Sequence, residues 1–147
     1  MTSEFTSGAN VEIRDLVGKE NFFLFGLTEP EVTATVTAGY RPHTYYESDP
    51  TLRRAMDAIS SGEFSAGDRG AFAQLVDSLL HHDQYLVLAD YKAYIEAQDA
   101  VDVAYRDQRA WTRSAVLNVA RSGFFSSDRS IRDYIDRIWH TSAVPID

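Results

Sequence analysis

Three helical patterns follow one another between Ala89 and Trp139, separated by stop and start signals, and this succession commits the chain to a packing of helices. Asp90 is suited to cap the first, whose apolar face carries Tyr94, Ile95, Val101 and Tyr105, because a carboxylate there meets the N–H groups that a first turn leaves without partners. Asp107 offers the same service to the second, along which Trp111, Ala115 and Val119 recur at helical spacing. Gly123 supplies a stop. Ser126, Ser127 and Asp128 then present oxygens to a third helix, predicted to bury Ile131, Tyr134, Ile135 and Ile138.

The preceding residues extend the helical theme and add one conflict. Residues 1–7, MTSEFTS, are small, polar and without period, and are set aside as a disordered or foreign lead, leaving 8–147 as a single mostly helical domain. Asn10 can cap a short helix to Val17, stopped by Gly18. Thr28-Glu29-Pro30-Glu31 is a capping box opening a helix to about Gly39, and Tyr40 to Glu47 reads as a looser aromatic stretch broken by Pro42. Asp49-Pro50 begins a helix with a Leu52, Ala55, Met56 and Ile59 stripe that Gly62 ends. Phe64 to Gly70 is a turn-rich connection, and Asp68 is placed to cap a helix carrying Phe72, Leu75, Val76, Leu79 and Leu80. Two compact apolar runs, Asn21–Gly26 (NFFLFG) and Tyr85–Ala89 (YLVLA), have the length of buried strands. The expected fold class is mainly α, about seven helices with one or two short strands. A strand cannot satisfy its own backbone, and NFFLFG has only YLVLA as a partner, so it calls for a sheet that the chain does not supply.

Length and composition bound the function. The 147 residues suit one domain, and eight Phe, eight Tyr and two Trp supply the area for a core. A formal charge of −8 opposes a phosphate backbone or an anionic membrane surface, and Arg129, Arg132 and Arg137 alternate with Asp128, Asp133 and Asp136 as on a solvated face. Nucleic acid and membrane are therefore not expected as partners. There is no cysteine for disulfides or thiolate metal sites, and no basic-then-apolar signal segment, so the expected location is cytoplasmic.

The residues that carry chemistry elsewhere have structural readings here. His81-His82-Asp83 is the one cluster of metal-ligand types, but adjacent helical residues point about 100° apart, and imidazoles suit the negative end of a helix. The pairs Glu29 with Glu31, Asp99 with Asp102 and Asp133 with Asp136 lack an apolar pocket that would hold one member protonated. Ser126-Ser127 lies outside any Gly-x-Ser-x-Gly elbow. Lys19 sits beside Glu20, and Lys92 can pair with Glu96 one turn on, so neither reads as a desolvated Schiff-base lysine. No glycine-rich phosphate cradle occurs. Catalytic, cofactor-binding and metal-binding residues are all expected to be absent.

Five blocks of sequence carry a resemblance. GANVEI, GKENFFLFG, YYESDPTLRRAMDAISSGEFS, ADYKAYIEAQDAVDVAYRDQRAWT and FFSSDRSIRDYIDRIW, spread in order from Gly8 to Trp139, are similar to the C-terminal portion of the α-glucan phosphorylases, the glycogen, starch and maltodextrin enzymes. The resemblance implies part of a Rossmann-like α/β cofactor domain in a two-domain, homodimeric parent that phosphorolyses α-1,4-glucans to glucose 1-phosphate with retention. It also implies pyridoxal phosphate on a lysine of the parent. That lysine belongs to a segment ahead of the GAN block, where this chain has MTSEFTS, with Ser7 in place of the family's Asp. The implied role is a scaffold of helices, one strand and a closing helix, inactive and without cofactor when alone, whose partner is the rest of the phosphorylase chain. Self-association through the open edge is a further expectation, and Trp111 and Trp139 become core or docking residues. The alternative is a stand-alone helical interaction module derived from the same family.

Overall fold

The computed structural model describes residues 8–142 and 144; the lead at 1–7 lies outside the described residues. Among the described residues, eight α-helices account for most of the length, in agreement with the mainly helical expectation, and no strand occurs. Helix α1 (Gly8–Val17) is closed by Gly18 at φ 88 and followed by a 3-10 turn at Lys19–Asn21. Helix α2 (Glu29–Thr37) opens on the capping box, with the Thr28 N–H donating to Glu31 Oε2 at 2.8 Å. Helix α3 (Pro42–Ser48) corrects the expectation of a loose segment: Pro42 stands at the start of the helix, where a missing N–H costs nothing. In α4 (Pro50–Ser61), Asp49 accepts from the Thr51 and Leu52 amides at 2.8 and 3.1 Å. Gly62 closes it in the left-handed region, at a place where a Cβ would lie 2.8 Å from the Gly67 carbonyl carbon.

Two further expectations are corrected along α5 (Ala73–His81) and α6 (Val87–Arg106). Asp68 binds the Gly70 amide inside the connecting turn instead of capping, and Phe72 stands at the α5 cap position. Tyr85–Ala89 is not a strand, because Val87–Ala89 forms the first turn of α6. The helix α7 (Gln108–Ser122) starts as expected, with Asp107 accepting from the Arg109 and Ala110 amides at 3.1 and 3.0 Å. A 3-10 turn at Gly123–Phe125 leads to α8 (Ser127–Tyr134), capped by Ser126 and continued by a π-helical turn over Ile135–Trp139. None of the helices among the described residues is long and apolar enough to cross a membrane.

Within NFFLFG, Asn21 ends the 3-10 turn and the residues after it join no ladder among the described residues. Phe22 has β dihedrals, yet the backbone groups of Phe23 to Gly26 make no hydrogen bond among the described residues. A strand needs a neighbour to close its ladder, and none lies beside it among the described residues. Side chains hold it instead, with Phe23 stacked on Trp111 at 6.2 Å and Phe25 edge-on to Tyr94 at 5.3 Å.

Packing is concentrated in two places. Leu52, Met56 and Leu88, each 3% exposed, form a core framed by Tyr45, Tyr46, Val76, Leu79, Leu80 and Tyr91, uniting α3 to α6. Val17 is buried where α1 meets α7, and Asn21 ties that corner together. Its amide donates to the Val17 carbonyl at 2.8 Å and its oxygen accepts from Ser114 at 2.7 Å, while Asn118 donates to its backbone carbonyl at 3.2 Å. The predicted burial of the α8 stripe is corrected. Only Ile135 is half-buried, whereas Ile131, Tyr134 and Ile138 are exposed, and Trp139 is 54% exposed against Tyr134. This amphipathic helix presents its apolar side to solvent because it packs mainly on the preceding turn and its own continuation.

Candidate functional site

The tightest polar arrangement surrounds the start of α6. Asp83, 4% exposed, accepts from the Val87 amide at 2.9 Å with Oδ1, and from the Leu88 amide at 2.8 Å and the Tyr40 hydroxyl at 2.6 Å with Oδ2. Two of the N–H groups orphaned at a helix start are thus met by a carboxylate four and five residues upstream, across a turn that puts Asp83 and Leu86 at positive φ. Burial raises the Tyr40 phenol well above its usual range, and the hydrogen bond to Asp83 raises it further.

Asp90 is corrected from cap to clasp. It lies inside the first turn of α6, buried, with Oδ1 accepting from the Leu27 amide at 2.8 Å, so it anchors the end of the extended segment to the helix. Burial raises its carboxyl, the Leu27 N–H works in the opposite direction, and the nearby Asp83 charge adds to the rise. A pocket of about 330 Å³ opens beside it, lined by Phe25, Tyr85, Val87, Tyr91 and Tyr94. Asp90 is the one carboxyl among the described residues with a raised proton affinity, but the pocket lining offers no nucleophile or basic group to exchange that proton with.

The raised carboxyl has a consequence for stability. The fold favours protonated Asp90 relative to the unfolded chain, where Asp titrates at about pH 3.9. Its favourable contribution is present in acid and is lost as pH rises through the folded pKa, so at neutral pH the charged group opposes folding. Asp90→Asn keeps a carbonyl for Leu27 and is expected to raise the urea midpoint at pH 7, with the advantage shrinking toward about pH 4. A midpoint difference that does not change with pH would show that the carboxyl is not perturbed by burial.

The other sequence candidates stay apart from this site. His81 ends α5 with Nε2 3.8 Å from Asp77, and stacks on His43 at 6.3 Å. Among the described residues no group of three or more His, Asp or Glu is arranged to hold a metal ion. Glu31 serves the α2 cap, Asp133 accepts from Arg129 at 2.6 Å, and Asp99 and Asp102 are exposed. Ser126 caps α8, and Ser127, Lys19 and Lys92 are exposed. What sequence reading missed is the convergence of Tyr40 and Leu27 on Asp83 and Asp90, contacts spanning 43 and 63 residues that no local pattern announces. The only local hint is the position of Asp83 just ahead of an apolar run that can be helical.

The architecture is thus a helical body with an open extended edge, a clasped aromatic pocket and an unburied closing helix. Comparison with known proteins accounts for such a piece. A family model described as "Phosphorylase: Carbohydrate phosphorylase" matches residues 3–141, beginning ahead of Gly8. Glycogen phosphorylase of Synechocystis sp. is 54% identical over 140 residues, which cover 95% of this chain and 16% of that protein. The Pasteurella multocida glycogen phosphorylase is 44% identical over 93% of this chain and 17% of its own length. The brain form of glycogen phosphorylase from Mus musculus is 46% identical over 90% of this chain and 16% of its own. The chain therefore spans about one sixth of the length of these curated relatives, and it belongs to the carbohydrate phosphorylase family.

Proposed function

We propose that this chain is the C-terminal segment of an α-1,4-glucan phosphorylase and acts there as scaffold, the reacting groups coming from the preceding part of the enzyme. The observation that carries the reading is the pairing of near-complete coverage of this chain with one sixth coverage of glycogen phosphorylases. On this reading the helices cover one side of a Rossmann-like sheet, the extended Phe22–Phe25 segment is one of its strands, and α8 with its π-helical turn reaches toward the other domain. Residues 8–147 act as one helical unit within that domain. The whole enzyme works in the cytoplasm as a homodimer, cleaving glycogen- or starch-type glucans with phosphate and retaining configuration at the sugar.

The family's pyridoxal phosphate does not fit the lysines available in this chain. A Schiff-base lysine is activated by desolvation, and Lys19 and Lys92 are both exposed. We assign no step of the reaction to them. Incubation with pyridoxal phosphate, borohydride reduction and peptide mapping is expected to yield no stoichiometric label on either lysine. Full labelling of one of them would overturn the scaffold reading and favour an independently functioning protein.

A further inference from the structure

We infer that His43 of α3 and His81 of α5 are the two protein ligands of a divalent transition-metal site that clips these helices together. The helix α3 packs on α5, and there the two imidazoles lie 15° from parallel with ring centres 6.3 Å apart. An ion about 2.0–2.1 Å from an imidazole nitrogen lies about 3.2 Å from the centre of that ring. Two rings on one ion therefore have centres up to about 6.4 Å apart, and about 5 Å apart at a tetrahedral angle. The observed pair lies inside that limit. Closing the last distance of about 1 Å takes only rotation of two exposed side chains, 48% and 58% accessible. Water completes the shell, in accord with the lack of any group of three or more ligands among the described residues.

Each imidazole has a carboxylate one turn away on its own helix. Glu47 Oε1 stands 3.4 Å from His43 Nδ1, and Asp77 Oδ1 stands 3.8 Å from His81 Nε2. A carboxylate that draws the proton to one ring nitrogen leaves the lone pair on the other, which is how metal-bound histidines are held in tautomer and orientation. The nitrogens left for the ion are His43 Nε2 and His81 Nδ1, neither of which makes a hydrogen bond among the described residues. Imidazoles select zinc, nickel or copper ions over magnesium or calcium, and the charge of −8 draws divalent cations to the chain. On sequence alone His81 has only His82 beside it, which faces about 100° away around the helix. The fold supplies from α3 the partner that can share an ion.

Isothermal titration of the whole chain with zinc chloride and with nickel chloride, in a buffer that does not chelate, reads the site. One ion per chain is expected, with His43→Ala and His81→Ala each weakening binding about tenfold or more and His82→Ala leaving it unchanged. The Glu47→Gln, Asp77→Asn double variant should weaken it about tenfold. All five side chains are exposed, and unchanged helical circular dichroism establishes that the variants fold. Because the ion joins two helices of the folded chain, it should also raise the urea midpoint of the unaltered chain and not that of a His43→Ala, His81→Ala double variant. Absence of saturable binding, or binding that either single variant at His43 or His81 leaves intact, overturns the inference. So does binding that is lost with His82→Ala alone. The site does not depend on the phosphorylase reading, which stands or falls separately.

Discussion

Asp83→Ala is expected to lower stability by about 3–5 kcal/mol, the largest loss among single polar substitutions in this chain. The side chain is buried and takes three donors, and truncation leaves the Tyr40 hydroxyl and the Val87 and Leu88 amides without an acceptor in a place that water does not freely reach. The effect should appear as an earlier urea midpoint together with loss of ellipticity from the α6 start. Tyr40→Phe removes one of the three donors and should cost about 1–2 kcal/mol. Because the Tyr40 pKa is raised in the fold, its contribution is fully present below about pH 10, where an unfolded tyrosine titrates, and stability falls as pH rises beyond that. An Asp83→Ala midpoint equal to that of the unaltered chain would mean that the Tyr40 contact does not persist in solution.

Leu52→Ala is expected to cost about 3 kcal/mol by opening a cavity against Met56 and Leu88. The core has few fully buried members, so there is little surrounding mass to collapse into the space. Leu75 lies on the neighbouring α5 but is half exposed, and Leu75→Ala should cost well under half as much. The comparison controls for helix propensity, since both are leucine-to-alanine changes within helices. Equal losses at the two positions would place the core elsewhere.

Legibility followed the range of the interaction. The caps at Thr28, Asp49, Asp107 and Ser126 and the stop at Gly62 were readable because each is settled within a few residues, by a side-chain oxygen or by a φ that glycine adopts without penalty. Pro42 was misread because a proline breaks a helix inside but fits its first turn, and only the register of α3 tells which applies. YLVLA was misread for a related reason: a run of five apolar residues fits a buried strand or a buried helical turn equally well, and Asp83 turned the balance by capping the helix. For the candidate site, Asp83 and Asp90 were visible as residues while their roles were not, since Tyr40 and Leu27 reach them from distant parts of the chain.

By itself the sequence determined that the protein is helical and where most of its helices begin and end. Only the tertiary structure decided which apolar stripes are covered. α4 and α6 bury theirs because two helices bring partners to them, whereas α8 and the Phe22–Phe25 edge leave theirs open because no described element lies across them. Amphipathicity is a property of a segment, but burial belongs to a pair of surfaces, and here no second surface occurs among the described residues.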